Sequence, residues 1–292
     1  MSYLSKVTAV LVLYDVTEVI FDCLDNLKNI KIIIVDNGNN NLKIINKIKK
    51  EYVLEKYFKL KKNIGFGRAN NLAFKYVKTQ CTLLIEPDVI INELNIVNLI
   101  KTLETYPNAG VIVPRVKDLD SQSGKILDDF EENRKTMRNN FENEISNQLS
   151  KKHIVGDVCI NFSVACILLV NNHVIKKIGL FNKKYFIYWE DFELFRRLKL
   201  NKIAAIKSYS STAKHLVKKS THLNLVSQFI MDVHHIKSAY LYFNVKKNHA
   251  MFFKKFLLYI FRFLTYLLIL NIKKSFKNLA RIYAIYLYLK SN

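Results

Sequence analysis

Acidic side chains are scarce in this sequence: 24 Asp and Glu stand against 46 Lys and Arg, a formal net charge of +22. An excess of that size calls for an acidic partner. The imbalance is uneven, since Lys214 to the end holds fourteen Lys and Arg and a single acid, Asp232. Cysteine is also sparse. Cys23, Cys81, Cys159 and Cys166 form no C-x-x-C pair, which argues against a disulfide framework or a cysteine zinc site and suits buried free thiols in a reducing compartment. A bilayer-spanning helix needs about 20 apolar residues; the run from Phe256 to Leu270 has fifteen and is broken by Arg262. The opening MSYLSKVTAVLVLYD lacks a clear basic leader and a small-residue cleavage site, so it reads as a first strand of a cytoplasmic protein. Glycine is rare, with seven in all, and two of them share one loop.

What is present is abundant apolar sequence: half the residues are hydrophobic, which rules out wholesale disorder. With 292 residues, one large domain plus an appendage is expected. Val7 to Tyr14 and Ile32 to Val35 are unbroken aliphatic runs of the kind that form buried parallel strands. Helical patterns follow at Val19 to Leu27 and Leu42 to Tyr52. Further strands are predicted at Tyr57 to Leu60, Thr82 to Ile85, Gly110 to Pro114, Val164 to Val170 and Ile203 to Ile206. This alternation predicts an open α/β sheet flanked by helices. Residues 115–152 are charged and polar and read as an excursion with helix near Asp128 to Leu149.

In such sheets ligands bind beyond the carboxyl ends of the strands, and Asp15, Asp36, Glu86 and Asp88 all follow a predicted strand. Glu86-Pro87-Asp88 offers oxygen ligands of the kind that hold Mg²⁺ or Mn²⁺ with substrate phosphates, or simply a turn. The loop Asn63-Ile64-Gly65-Phe66-Gly67-Arg68-Ala69-Asn70-Asn71 opens a helix, and its free amides suit a phosphate. It is not a dinucleotide fingerprint, because Asn70 stands where a third glycine is needed. His215, placed after the last strand, is either a third metal ligand or phosphate contact, or a solvated histidine. The densest stretch is Leu180 to Leu198, LFNKKYFIYWEDFELFRRL, where an aromatic run and the sole tryptophan precede Glu190-Asp191. An aromatic wall would raise a carboxylate's pKa and a helix start would lower it, making a base tunable. The competing reading is a helix cap.

In order, VTAVLVLYD, IIIVDNGNN, NIGFGRANNLAF, LLIEPDV, GVIVPR, VACILLV and IGLFNKKYFIYWEDFELFRRL, followed by HLVKKST, resemble the family 2 glycosyltransferases, most closely the rhamnosyltransferase-type branch, over roughly Val7 to Lys247. The resemblance implies a GT-A (Rossmann-like) open mixed sheet and an inverting transfer of a sugar, L-rhamnose among the candidates, from a nucleotide-diphosphate donor to a hydroxyl of a growing, lipid-linked glycan. Asp36 would read the nucleobase. Asp15, Asn63, Gly67, Arg68, Asn70 and Glu86 would line the donor, and Asp88 with His215 would hold Mg²⁺ or Mn²⁺. Asp191 would be the general base beside Glu190, and Trp189 would stack on an acceptor sugar. The chain departs from the family's frequent patterns at Glu86, where Asn is usual, at Val164, where Gly is often seen, and at Asn182-Lys183, where Asp-Glu is usual.

The glycosyltransferase domain is expected to span 1–222, with a helical, basic and aromatic region at 223–292. There Lys273, Lys277 and Arg281 fall at i, i+4 and i+8 beside Phe276, Leu279, Ile282, Tyr283 and Tyr286, the pattern of a helix in the headgroup region of an anionic leaflet. The protein is therefore expected to be peripheral on the inner face of the cell membrane, with a homodimer contact or a true insertion as the other uses of that segment. Two alternatives remain from the residues alone: a nucleotidyltransferase, or a basic nucleic-acid-binding protein. The second lacks any recognised nucleic-acid module, and no nucleic acid partner is expected.

Overall fold

The computed structural model describes residues 2–117, 156–216 and 225–291. The described strands are β1 (Val7–Leu13), β2 (Lys31–Asp36), β3 (Lys56–Lys59), β4 (Cys81–Ile85), β5 (Val89–Ile90), β6 (Val111–Lys117), β7 (Val158–Cys159), β8 (Ile167–Asn171) and β9 (Ala205–His215). The described helices are α1 (Ile20–Asp25), α2 (Leu42–Glu51), α3 (Phe66–Phe74), α4 (Glu93–Thr105), α5 (Asn172–Ile178), α6 (Glu190–Leu200), α7 (Leu225–Tyr242), α8 (His249–Leu268) and α9 (Ile272–Lys290). The strands form one mixed sheet in the order β3-β2-β1-β4-β8-β6-β9-β5, with β7 also on β9. β3, β2, β1 and β4 are parallel. β8 runs antiparallel to both β4 and β6.

The sheet is covered on both faces, and this explains the unbroken apolar runs. Alternate residues of one strand enter different cores. Val7, Ala9, Leu11 and Leu13 of β1 join Ile32 and Ile34 beneath α1, α2 and α4. Val10, Ile33 and Val35 pack on the other side with Ala69 and Ala73 of α3 and Leu194 and Leu198 of α6. Each such buried aliphatic side chain contributes on the order of 1.5–3 kcal/mol. Asparagine supplies the helix caps: the side chains of Asn41, Asn92, Asn248 and Asn271 accept backbone N–H bonds at the starts of α2, α4, α8 and α9.

Two expectations need correcting. The last strand is not the short Ile203 to Ile206 segment but eleven residues, Ala205–His215. Its last nine residues, KSYSSTAKH, are mostly polar and hide the strand from a hydrophobicity pattern. It is sustained by pairing with β6, where the register shifts between Val113 and Arg115, and by Ser208 and Ser211, which are buried and bonded to Thr102 and to the Asn95 carbonyl. Three cysteines are buried, but Cys159 is exposed. The helix expected near Asp128 to Leu149, and the Lys218 to Thr221 part of HLVKKST, lie outside the described residues.

The carboxyl-terminal region is three helices, and they are joined to the sheet domain. α7 packs against the Tyr185 to Trp189 stretch through Ala239. α8 and α9 pack on α7 through Phe252, Tyr240, Ile285 and Tyr288. The buried face of α9 is small and polar as well as apolar, with Ser275, Asn278, Ala280 and Ala284. No helix among the described residues is long and apolar enough to cross a membrane.

Candidate active site

β1, β2 and β4 are parallel neighbours, so the acids that follow them share one edge of the sheet. Glu86 leaves β4 directly, its amide bonded to the Cys166 carbonyl of the loop entering β8. Glu86-Pro87-Asp88-Val89 then closes as a turn, with Val89 N donating to the Glu86 carbonyl at 3.1 Å, Pro87 occupying the position where a fixed φ favours a turn. The turn reading of this tripeptide is thus fulfilled, and the turn leaves both carboxylates at the sheet edge. Beyond it, β5 pairs with the end of β9 and sets Val89 opposite His215. The result is a cluster of Glu86, Asp88 and His215 whose ligand atoms all lie within 4.8 Å of one another. His215 Nε2 is 3.3 Å from Asp88 Oδ1 and 3.5 Å from Glu86 Oε2.

Burial alone would lower the His215 pKa, but hydrogen bonds and charge from Asp88 and Glu86 outweigh it and raise it to about 9. In this state the proton on His215 neutralises part of the acid pair. Two carboxylates and an imidazole within reach of one point also suit a divalent cation that shares its coordination with phosphate oxygens. Asp88 and His215 fall where a metal was expected. Glu86, expected along the donor, belongs to the same cluster.

The second group of acids lies at the start of α6. Glu190 is buried and Asp191 half-buried. Burial raises both carboxyl groups above the usual carboxylate range, and the charge of Asp191 adds to the effect on Glu190. Backbone amides, Phe192 foremost, pull Asp191 partly back, with Phe192 N donating to Asp191 Oδ1 at 2.8 Å. Asp191 is not the cap, because the helix begins at Glu190 with Trp189 in the cap position and no side-chain cap bond; it lies in the first turn instead. Glu190 Oε2 is buried and has no hydrogen-bond partner among the described residues.

The chain enters this helix through Tyr188 and Trp189, both left-handed at φ 66° and 68°, a conformation that costs an ordinary L-residue roughly 1–3 kcal/mol. The approach is held at three points. Arg197 donates to the carbonyls of Ile178 and Leu180 at 2.7 Å while paired with Glu193 at 2.8 Å. α3 runs alongside: Phe66 N donates to the Phe186 carbonyl, Arg68 Nε to the Lys183 carbonyl, and Asn71 exchanges two bonds with the Phe181 backbone. From α7, Ser238 Oγ donates to the Ile187 carbonyl at 3.1 Å and His234 stacks on Phe186 at 4.2 Å. Burial, with the charge of Lys237, lowers His234 to about 4, so it packs as a neutral ring.

These contacts bear on several residues expected to touch donor or acceptor. A Cβ on Gly67 would meet Phe181 Cβ at 2.9 Å, and one on Gly65 would meet the Phe186 carbonyl oxygen at 2.2 Å. The glycines therefore admit the acid-bearing segment at close range. Asn63 Oδ1 accepts from Asn37 and Gly65, and Asn70 is buried with its amide donating to the Phe66 carbonyl. Trp189 is 3% exposed and lies among Phe192, Tyr242 and Phe243, so it is a packing residue and offers no face to a sugar.

Asp36 ends β2 and is buried, accepting from Gly38 N, Asn40 Nδ2 and Tyr57 Oη. Asp15 is half-buried in a left-handed turn after β1 (φ 50°). Tyr57 and Ser238 were not singled out from sequence. Tyr57 lies opposite Ile34 on the neighbouring strand and reaches Asp36 two residues further along, whereas nothing local marks Ser238, fifty-one residues from its partner.

A sequence model described as Glycosyl transferase family 2 matches residues 9–166, more than half of the chain, from β1 to the strand before the acid pair. This chain belongs to glycosyl transferase family 2. Among curated proteins it is similar to the rhamnosyltransferase WbbL of Escherichia coli (strain K12), at 24% identity over 195 residues, covering 63% of this chain and 71% of that one. Among solved structures it is similar to the mannosyltransferase PcManGT of Pyrobaculum calidifontis in complex with GDP-Man and Mn²⁺, with a TM-score of 0.57, 12% identity and coverage of 83% of this chain and 65% of that one. It is also similar to GalNAc-T7 with UDP, GalNAc and Mn²⁺, with a TM-score of 0.56, 12% identity and coverage of 79% and 48%. The chain thus spans about half to two thirds of those two chains, and the likeness to them is one of fold, GT-A. The enzyme is a glycosyltransferase.

Proposed function

We propose that this glycosyltransferase moves a sugar, with inversion, from a nucleoside diphosphate donor to an acceptor hydroxyl of a lipid-linked glycan at the membrane. The observation that carries the reading is the nearness of two acid-bearing groups, Glu86-Asp88-His215 and Glu190-Asp191: the Glu86 charge acts on both Glu190 and Asp191, and the Ala165-Cys166 backbone bonds to Asp191 on one side and to Glu86 on the other. Glu86, Asp88 and His215 would hold Mg²⁺ or Mn²⁺, which when bound offsets the charge developing on the departing diphosphate. Asp36, Asp15 and Arg68 are the donor contacts in this reading. Asp36 is set by three hydrogen bonds and so can present a fixed acceptor edge to a nucleobase.

Asp191 takes the proton from the acceptor hydroxyl as that oxygen attacks the anomeric carbon opposite the leaving group. A carboxylate lifted by burial is a better base than one in water, and neighbouring Glu190, lifted as well, spares the site a second full negative charge. The likeness to a rhamnosyltransferase makes a deoxyhexose donor the first to try.

A thermal-shift series of dTDP-, UDP- and GDP-sugars with Mn²⁺ tests the donor half. The right donor at 100 times its dissociation constant adds about 2.7 kcal/mol of stability, and chelation should abolish the shift. Stabilisation by none of the three classes, or a shift untouched by chelation, would remove the metal-assisted donor reading.

A further inference from the structure

α8 is nearly bare. Its one fully buried residue is Phe252, while Phe253, Leu257, Phe261, Leu264 and Leu268 are exposed and recur at i, i+4, i+8, i+11 and i+15, a single stripe along the helix. The stripe runs into the turn before α9, where Leu268 and Leu270 are 84% and 81% exposed. The sequence pattern placed the lipid-facing surface on α9, but α9 spends much of its surface on its neighbours. The other side of α8 is tied to α9: Ser275 Oγ donates to the Phe263 carbonyl, Lys274 lies over Tyr266 and Arg281 over Tyr259. The stripe is therefore presented by a braced helix pair.

We infer that the α8 stripe and the α8–α9 turn form a docking surface for an anionic lipid bilayer, with the apolar residues entering the acyl boundary and the flanking cations resting on the headgroups. Charge chooses the occupant. From His249 to Lys290 there are eight Lys and Arg and no acid, with Lys254 and Lys255 near one end of the stripe and Lys273 and Lys274 just past the turn. A second copy docking by the same face would set these cations against each other, because a two-fold interface opposes each patch to itself. An anionic leaflet supplies the missing negative charge along with an apolar interior. α8 lies on the surface and does not span it, consistent with its internal Arg262 and with the hydropathy of the described helices.

The surface does not stand apart from the active site. Phe252 and Tyr288 pack on Tyr240 of α7, and α7 holds the Ile187 to Trp189 approach to the acid pair. Docking α8 would thus fix the orientation of Asp191 toward the lipid surface. The lipid contact does not depend on the sugar-transfer reading, and its test involves no turnover.

The test is co-sedimentation of the full chain with phosphatidylcholine vesicles, with and without phosphatidylglycerol, at low and high salt. The wild type should pellet with anionic vesicles at low salt and lose about tenfold or more in partition without the anionic lipid or in high salt. The triple variant Phe261→Ser, Leu268→Ser, Leu270→Ser should lose binding to both compositions while its thermal midpoint by circular dichroism stays at the wild-type value. The double variant Lys254→Glu, Lys273→Glu should lose about fivefold or more per cation on anionic vesicles only, and it carries the decision if the serine variant melts early. Wild-type-like pelleting of either variant would overturn the proposal. So would retention through alkaline carbonate extraction, which would mean insertion, or a lipid-free dimer abolished by the serine substitutions, which would mean a protein seam.

Discussion

Glu86 and Asp88 follow a strand buried on both faces and are set in place by a four-residue turn and one strand pairing, Val89 with His215. Glu190 and Asp191 instead follow two left-handed residues, and their position depends on α3, on Arg197 and on a helix from the far end of the chain. The first cluster is fixed by backbone pairing on a rigid sheet edge, with His215 brought in by its strand. The second is assembled largely by side-chain bonds from α3, α6 and α7, with Arg68 to Lys183, Arg197 to Ile178 and Ser238 to Ile187 among them. A site that must grip a diphosphate needs rigidity, while one that meets a variable acceptor can be attached to a part that also finds the acceptor's location. The contrast implies that distant substitutions disturb the acid pair and leave the Glu86-Asp88-His215 cluster intact.

The largest expected effect breaks the second cluster chemically. Asp191→Asn keeps the shape and removes the base, so turnover should fall by about 10²–10⁴-fold; steady-state transfer assays on a purified donor and acceptor check it, and near-wild-type rates would take Asp191 out of the chemistry. Next, Trp189→Ala empties a buried aromatic box and should cost about 3–5 kcal/mol in chemical denaturation. A residue that stacked on the acceptor would instead raise the acceptor KM with stability unchanged, so this variant separates the two roles of the tryptophan.

A smaller effect comes with pH. Glu190 and Asp191 both have folded-state pKa values above their unfolded values, so the folded chain binds more protons through that interval and stability falls as pH rises from about 4 upward across it. Turnover needs Asp191 ionised and should rise over the same interval, with its acid limb above the ordinary carboxylate range. Activity and stability then move in opposite directions, and Glu190→Gln should flatten the stability slope. An acid limb at the ordinary Asp value would contradict the burial of the pair. The smallest effect is Ser238→Ala, which removes the bond to the Ile187 carbonyl and should cost about 1 kcal/mol, with kcat falling more than donor affinity if α7 positions the acid pair.

The parallel half of the fold was legible because VTAVLVL, KIIIVD and CTLLI each read as a strand buried on both faces, and acids at strand ends lie at the edge where such sheets bind ligands. His215 was legible as a candidate because it follows the last predicted strand; that it ends that strand was not, because the strand is mostly polar and is held by pairing and buried serines. The Gly65 to Asn71 loop was ambiguous for a physical reason. Glycine and asparagine suit a phosphate-facing loop and a tight protein seam equally, and only tertiary contact with Phe181 and Phe186 distinguishes them. Trp189 is a like case, since an aromatic next to acids looks like a sugar platform, and here α7 covers it. α8 shows the reverse: its apolar run was visible, but which side of it stays bare depends on how α9 folds back.

The division of labour between the two acid clusters is tested most directly by calorimetric titration of the nucleotide-sugar donor, with Mn²⁺ and with chelator, into wild type, Asp88→Ala and Asp191→Asn. The account predicts that the cation strengthens donor binding in the wild type and in Asp191→Asn alike and has no effect in Asp88→Ala. Cation-independent binding in the wild type, or equal loss of donor affinity in both variants, would contradict it.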